Sequence, residues 1–256
     1  MVMRESSSTG PDELPAKMIA EARRAFFVMF ALLCAVWAVQ VANWADDYDL
    51  TRQYGIVAHQ PGRLVDVFAA PFLHLNWQHL EGNSGPLFVF GFLAAHRGVK
   101  RFLGLTLLVA LTSGAAVWLF ERDDVVTVGA SGVIYGYFGY VVLRGLFDRN
   151  LIDSLIGLVM GASFAYILTT AVPGTPEVSW LGHLGGLAGG LVGAWVFRDR
   201  SDRRNRSNRS DRRKQGEQDA RSEPDPQPTT PNQSKGPKTA DGDRAALLKE
   251  LDDLGL

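Results

Sequence analysis

The sequence predicts an all-α membrane protein in which six apolar helices pack into one bundle. Residues 26–197 consist mainly of long apolar runs, and about 20 mostly apolar residues are enough for a helix to cross a bilayer. Lys and Arg cluster in alternate links between these runs. In the last run Gly182, Gly186 and Gly190 recur every four residues, so they form a helix face that a neighbouring helix can approach to backbone contact.

The six apolar runs define the predicted topology. Their approximate bounds are 25–43, 77–95, 102–120, 131–147, 151–171 and 180–197. Because Lys and Arg accumulate in cytoplasmic loops, we expect both chain termini in the cytoplasm. The long link 45–76 ends in an apolar stretch, and a link of that length without structure is unusual. We therefore expect it to lie partly embedded in the membrane interface.

The two ends of the chain differ from this six-span domain, 25–197. Residues 1–24 are polar and lack a periodic apolar face, so we expect a flexible cytoplasmic segment. Residues 198–256 are also polar, and we expect a mostly disordered cytoplasmic tail. The Arg-rich start of the tail fits either contact with anionic lipid head groups or a solvated flank, and we expect no nucleic acid partner. Helical spacing near the C-terminus leaves open a short docking helix or a nascent one. The residues with this spacing are Ala245, Leu247, Leu248, Leu251 and Leu254.

Ser131 is a candidate nucleophile. It stands where a loop turns into the fourth run, between Gly129-Ala130 and Gly132. A Ser in a membrane helix often bonds only to a carbonyl one turn earlier, and its hydroxyl attacks only when a base removes the proton. Here the glycines allow close backbone approach, and a helix start leaves N–H groups free to bind an oxyanion. The pattern is not the GxSxG turn of α/β-hydrolases, because Val133 replaces the second glycine.

His183 is the candidate base for Ser131. An ionisable group in a membrane segment is costly and therefore a functional candidate, although a buried His can simply bond to a carbonyl. His183 follows Gly182 at the outer end of the sixth run, and Ser131 lies at the outer end of the fourth. Small faces on both helices favour close packing. We therefore predict that the imidazole reaches the Ser131 hydroxyl.

His79 and Asn83 are predicted to support this pair. They are four residues apart and share one face of the second run, where both could donate to an oxyanion together with the Ser131 N–H. The alternative is a zinc site. Its candidate ligands are His74, His79, Glu81 and His183. The HExxH pattern is absent and Glu81 lies on a different helix face from His79, so we predict no metal and assign no role to Glu81.

Together these residues resemble the rhomboid family of intramembrane serine proteases over residues 26–197. The matching pieces are Gly129-Ala130-Ser131-Gly132, Gly182-His183 with the glycines after it, and His79-xxx-Asn83 preceded by His74. The resemblance implies a six-helix bundle with a water-filled cavity open to the outside, and a Ser–His dyad without an Asp. It implies Ser131 as nucleophile and His183 as general base and then acid, without a cofactor.

The resemblance also implies supporting residues and substrates. Tyr135, one turn after Ser131, matches the family's aromatic residue that stacks on the catalytic His, and the alternative is an ordinary packing Tyr. Gly129 would support the oxyanion site. Substrates would be single-span membrane proteins in the lipid bilayer, cleaved near the outer end of the span. For this protein we expect a bacterial plasma membrane. The oligomeric state is left open.

One departure from the family concerns the first external loop. The family's Trp-Arg pair is absent, and the loop has only Trp44 and, later, Arg52 and Arg63. The resemblance therefore does not predict how this loop is anchored.

Two other functions compete with proteolysis. One is a catalytically silent rhomboid-like protein that binds membrane clients, which the intact Ser131 and His183 disfavour. The other is a small-solute transporter, which the lack of a visible inverted repeat disfavours.

Overall fold

The computed structural model describes residues 13–174 and 178–198, together with the isolated residues 210 and 215. The chain divides into two compact units, 1–202 and 203–256. The predicted disordered tail lies outside the described residues except for Arg198, Ser210 and Gln215, as does the predicted C-terminal helix. The predicted flexible N-terminal segment lies outside them up to residue 12.

The described part of the first unit is mostly helical, as predicted. Its helices are α1 Glu13–Ala45, α2 Asp49–Tyr54, α3 Trp77–Ala95, α4 Val99–Phe120, α5 Ser131–Asp148, α6 Leu151–Ser163 and α7 Trp180–Val196. Short 3₁₀ helices cover Pro61–Val67, Ala70–Phe72 and Ala165–Ala171. The strands β1 Ile56–Val57 and β2 Val126–Thr127 pair antiparallel, a pairing that the apolar pattern did not indicate.

Helix covers each of the six predicted apolar runs, apart from Phe164 in the fifth run and Phe197 at the end of the sixth. Among the described residues, the Pro15–Ala45 part of α1 and all of α4 are long and apolar enough to cross a membrane by length and composition. The 3₁₀ helix Ala165–Ala171, here called the 165–171 segment, follows α6 at a bend of 62°, and the two together would make a third span. The helix α1 begins at Glu13, so residues 13–24, predicted to be flexible, are helical. Their Ala, Glu, Lys and Arg residues favour that state.

Two of the helices begin with side-chain caps next to candidate site residues. Asn76 caps α3 and accepts a hydrogen bond from the His79 N–H at 2.8 Å. Ser179 caps α7 and accepts one from the Gly182 N–H at 3.2 Å. Because a cap satisfies N–H groups that the helix itself leaves unpaired, these two residues fix where α3 and α7 start.

Glycine faces bring α5 and α7 into backbone contact. A Cβ atom added at Gly186 would overlap the carbonyl oxygen of Gly132, and one added at Gly190 would overlap that of Gly136. The other side of α7 packs on α4, where the Ser113 hydroxyl donates to the Gly182 carbonyl at 2.8 Å. The helix α7 is therefore held between α4 and α5 at a separation that only glycine permits.

An ion cluster joins helices at the opposite end of α5 from Ser131. The buried Arg144 donates to the Leu93 carbonyl at 2.8 Å and to the Asp153 carboxylate at 2.8 Å. Arg97 binds the second oxygen of Asp153. Because a buried charge is tolerated when it is paired and hydrogen-bonded, this cluster fastens α3, α5 and the first turn of α6 together.

The α5–α7 contact predicts different outcomes for two glycine substitutions. Gly186→Ala places a methyl group against the backbone of α5, which cannot rotate away as a side chain would, so we expect a loss of stability of about 1–3 kcal/mol. Gly85→Ala on α3 is the matched control, because its added Cβ meets nothing within 4 Å. That change should be neutral or stabilising by up to about 1 kcal/mol. Thermal unfolding in detergent measures both, and equal midpoints for the two variants would contradict the packing.

Candidate active site

The predicted site residues line one cavity of about 870 Å³. This cavity lies at the N-terminal ends of α3, α5 and α7, which are distant in the sequence. The six predicted residues that line it are His79, Asn83, Gly129, Ser131, Tyr135 and His183. The structure therefore brings all of them together.

Ser131 is the first residue of α5 and is half-buried. Gly129, two residues before it, has a φ of 119°, a conformation that side chains disfavour. A Cβ atom there would also lie 2.7 Å from Cε1 of His79. The Ser131 N–H has no hydrogen-bond partner among the described residues. A glycine thus lets the loop turn tightly beside His79 and present a free N–H at the helix start.

His183 is buried and has a defined orientation. Its Nδ1 lies 2.8 Å from the Thr170 carbonyl oxygen. Since that oxygen can only accept, Nδ1 carries the hydrogen and Nε2 keeps its lone pair in the neutral ring. The Nε2 atom has no hydrogen-bond partner among the described residues. This tautomer leaves Nε2 available as a base.

The Ser131 hydroxyl and the His183 ring share the cavity without a hydrogen bond between them. The backbones around them touch, because a Cβ atom on Gly132 would lie 3.1 Å from the Gly182 carbonyl oxygen. Within the described residues the Ser131 hydroxyl has no hydrogen-bond partner. Catalytic hydrogen bonds are often long in unliganded sites and tighten when substrate binds, so this geometry is compatible with a dyad.

Tyr135 stacks on the His183 ring. The ring centroids are 4.1 Å apart and the planes differ by 10°. The Tyr135 hydroxyl donates to the Ile167 carbonyl and lies 2.6 Å from Oγ1 of Thr170. Thr170 thus contacts both aromatic rings, through its carbonyl and its hydroxyl. Sequence analysis missed Thr170, since it is one of two adjacent threonines in an apolar run and binds His183 through its main chain.

Asn83 presents an unpaired amide to the cavity. Its side chain is buried, and its Nδ2 has no hydrogen-bond partner in the described part of the chain. A Cβ atom on Gly129 would lie 3.6 Å from this Nδ2, so the amide stands beside the loop that leads to Ser131. A buried donor without a partner is uncommon and is available to a ligand atom in the cavity.

His74 supports the same loop from the link before α3. Its ring meets the His79 ring edge-on, with centroids 5.0 Å apart. Burial lowers the pKa of His74 to about 3, so the ring is neutral near pH 7. Its Nε2 accepts from the Ala130 N–H at a long 3.5 Å. His74 therefore positions the chain just before Ser131.

The zinc alternative gains no geometric support. In the described part of the chain, no three His, Cys, Asp or Glu side chains come together as a metal site would require. Glu81 is exposed and does not line the cavity. We find no role for Glu81.

Arg63 anchors the link between α1 and α3, where the sequence offered no anchor. Its Nε donates to Asp66 at 2.8 Å. Its Nη2 donates to the carbonyls of Arg52, Gln53 and Gly55 at 3.0, 2.6 and 2.8 Å. One guanidinium thus ties the end of α2 to the first 3₁₀ helix and to β1. The strand β1 pairs with β2, and β2 leads directly to Gly129.

A second contact closes the same loop from the other side. His59 lies 2.5 Å from Asp123 through Nδ1 and 3.1 Å from the Leu119 carbonyl through Nε2. The hydrogen bond to Asp123 raises the pKa of His59 above its usual value. Both ring nitrogens face acceptors, so the protonated ring satisfies this arrangement best. The pair is exposed, so its contribution to stability is small.

Arg63 is predicted to be irreplaceable by lysine. An ammonium group cannot reproduce the planar fork that reaches three carbonyls and a carboxylate, so Arg63→Lys should loosen residues 50–67 and cost about 1–3 kcal/mol. Arg52→Lys is the control, because Arg52 is largely exposed and pairs with Asp49, which is worth under about 1 kcal/mol. Hydrogen exchange of the loop amides measures the difference. Equal exchange in both variants would remove Arg63 as the anchor.

Comparison with known proteins identifies related sequences. The family model described as "Rhomboid domain" matches residues 61–200. An uncharacterized protein of Mycobacterium tuberculosis is 38% identical over 138 residues, which are 51% of this chain and 58% of that protein. Rhomboid protease GlpG of Haemophilus influenzae is 24% identical over 194 residues, 73% of this chain and 96% of its own length. The chloroplastic rhomboid-like protein 11 of Arabidopsis thaliana is 32% identical over 134 residues, 48% of each chain. The chain thus spans less than two thirds of the mycobacterial relative.

Proposed function

The chain belongs to the rhomboid family of integral membrane proteins, and on this premise we propose that it is an intramembrane serine endopeptidase. It hydrolyses peptide bonds in or near transmembrane segments of membrane proteins, and single-span proteins are the substrate class. The main support is the geometry of His183, which shares one cavity with Ser131 and has its lone pair on the unpaired Nε2. The name of rhomboid protease GlpG agrees with this activity.

The proposed reaction is acyl transfer to Ser131 followed by hydrolysis. As Oγ of Ser131 attacks the scissile carbonyl carbon, Nε2 of His183 takes the hydroxyl proton. The resulting oxyanion is held by the Ser131 N–H, the Asn83 amide and His79. His183 then gives its proton to the leaving amine, and an acyl-enzyme remains. Water attacks the ester while His183 again accepts a proton, which it returns to Ser131 as the acid product leaves.

The proposed membrane arrangement follows from charge. The six helical runs would cross the bilayer within residues 25–197, with both termini and the tail 198–256 in the cytoplasm. The Arg97–Arg144–Asp153 cluster lies at the end of α5 away from Ser131, and cationic residues favour the cytoplasmic side. The cavity then opens to the outer side of a bacterial plasma membrane, from which the hydrolytic water enters.

The dyad is tested with purified protein and a fluorescent single-span substrate in liposomes. Ser131→Ala and His183→Ala should each reduce cleavage by about 10³-fold or more, because each removes a group that takes part in bond formation. Matched controls are Ser154→Ala, whose hydroxyl bonds back to the Asn150 carbonyl, and His96→Ala, outside the cavity. A fluorophosphonate probe should label the wild type and not Ser131→Ala.

Two other outcomes of this experiment would contradict the proposal. Cleavage that survives either dyad substitution would remove the Ser–His assignment. A folded wild type that binds the substrate but neither cleaves it nor reacts with the probe would instead support a catalytically silent, client-binding protein.

Asn83→Ala separates an oxyanion role from a packing role. Loss of one oxyanion donor should lower kcat by up to about 10²-fold. The same change removes a buried donor that has no partner among the residues described, so the unfolding midpoint should not fall as it does for an ordinary core truncation. Measuring both kcat for cleavage and the thermal unfolding midpoint distinguishes the two roles. An unchanged rate with a lowered midpoint would make Asn83 a packing residue only.

A further inference from the structure

Three polar contacts converge on the 165–171 segment. His183 Nδ1 meets the Thr170 carbonyl at 2.8 Å. The Tyr135 hydroxyl donates to the Ile167 carbonyl and lies 2.6 Å from the Thr170 hydroxyl. Not one residue of the segment is buried, and of its side chains only Ile167 packs against the main hydrophobic core. These contacts are therefore its main polar attachment to α5 and α7.

The Thr170 carbonyl is free to accept because of its place in the chain. It lies next to the last residue of a 3₁₀ helix, and the chain becomes extended at Val172, with φ −119° and ψ 153°. The last carbonyls of a helix have no partner within it. One of them is thus available for an imidazole from another helix.

In a Ser–His–Asp site, a carboxylate bonds to Nδ1–H of the base, which fixes the tautomer and the ring orientation. Among the described residues, no carboxylate bonds to His183. We propose that Thr170 is the positioning residue of this site: its main-chain carbonyl fixes the tautomer of His183, and the 165–171 segment fixes the ring plane through Tyr135. The role of that tautomer in cleavage rests on the proposed function, whereas the tautomer itself does not.

The carbonyl is tested by a change of one backbone atom. Ala171→lactic acid converts the Thr170–Ala171 amide into an ester, whose carbonyl is a weaker acceptor, and leaves every side chain in place. Val172→α-hydroxyisovaleric acid is the control, since it makes the same change one residue later, where the Ala171 carbonyl has no side-chain partner among the described residues.

The first measurement is the ¹⁵N NMR spectrum of labelled histidine, with His183 assigned by His183→Gln. We expect the Nδ1–H tautomer in the wild type and in the control, and a severalfold larger share of the Nε2–H tautomer in the Ala171 ester. A wild type with Nε2–H on His183, or an unchanged ratio in the ester, would overturn the proposal. The measurement does not depend on cleavage.

The second measurement is cleavage of the single-span substrate. The Ala171 ester should lower kcat on the order of tenfold with KM unchanged, because it weakens one hydrogen bond to the base, and the control should cleave at the wild-type rate. If the tautomer shifts as expected but the wild type cleaves nothing, the positioning of His183 stands and the proposed function fails.

Ordinary side-chain substitutions test whether the 165–171 segment positions the His183 ring through Tyr135. Thr170→Val keeps the carbonyl and removes the hydroxyl next to Tyr135, so the tautomer should persist while kcat falls a few-fold, and Thr170→Ser should restore the rate. Wild-type cleavage by Thr170→Val would exclude the hydroxyl from positioning Tyr135.

Discussion

The backbone contact between α5 and α7 determines the rest of the site. Gly132 and Gly136 offer carbonyl oxygens to Gly186 and Gly190 at a separation that admits no side chain. Ser131 precedes the first of these glycines, and His183 lies one turn before Gly186. Because helices are stiff over a few residues, the close approach of the two backbones also fixes how near the hydroxyl and the imidazole can come. A looser pair of helices would leave both groups in the same cavity but out of reach of each other.

Much of this arrangement could be predicted from the sequence. The apolar pattern gave the bounds of α3 as 77–95, the same as in the structure, because Asn76 caps the helix where the run begins. The glycine spacing predicted the α5–α7 face, since a period of four on a helix always forms a stripe. The stack of Tyr135 on His183, expected only from the family resemblance, is present in the geometry. Such features depend on neighbouring residues or on a regular spacing, so one sequence is enough to predict them.

The remaining features depend on contacts that leave no pattern in the sequence. Thr170 acts through a main-chain carbonyl, which every residue type possesses. Arg63 donates to three carbonyls around the end of α2. Nothing in the neighbouring residues indicates that this arginine, and not another basic side chain, makes these contacts. Asp153 was predicted only as part of an apolar span, yet it joins two distant arginines, Arg97 in the turn after α3 and Arg144 in α5. The helix α1 starts at Glu13 because residues 13–24 have high helix propensity. The prediction of a flexible segment considered only their polarity.

The unpaired groups of the cavity follow from the same packing. The Asn83 amide, Nε2 of His183 and the Ser131 N–H are left without partners among the described residues, and each such group is unfavourable when it is away from water. Local rules are usually broken at functional sites, with compensation elsewhere in the fold. Here the compensation lies in the glycine contact of α5 with α7 and in the ion cluster around Asp153, at opposite ends of α5. Rigid attachment at both ends lets the cavity keep polar groups directed into its interior instead of at one another.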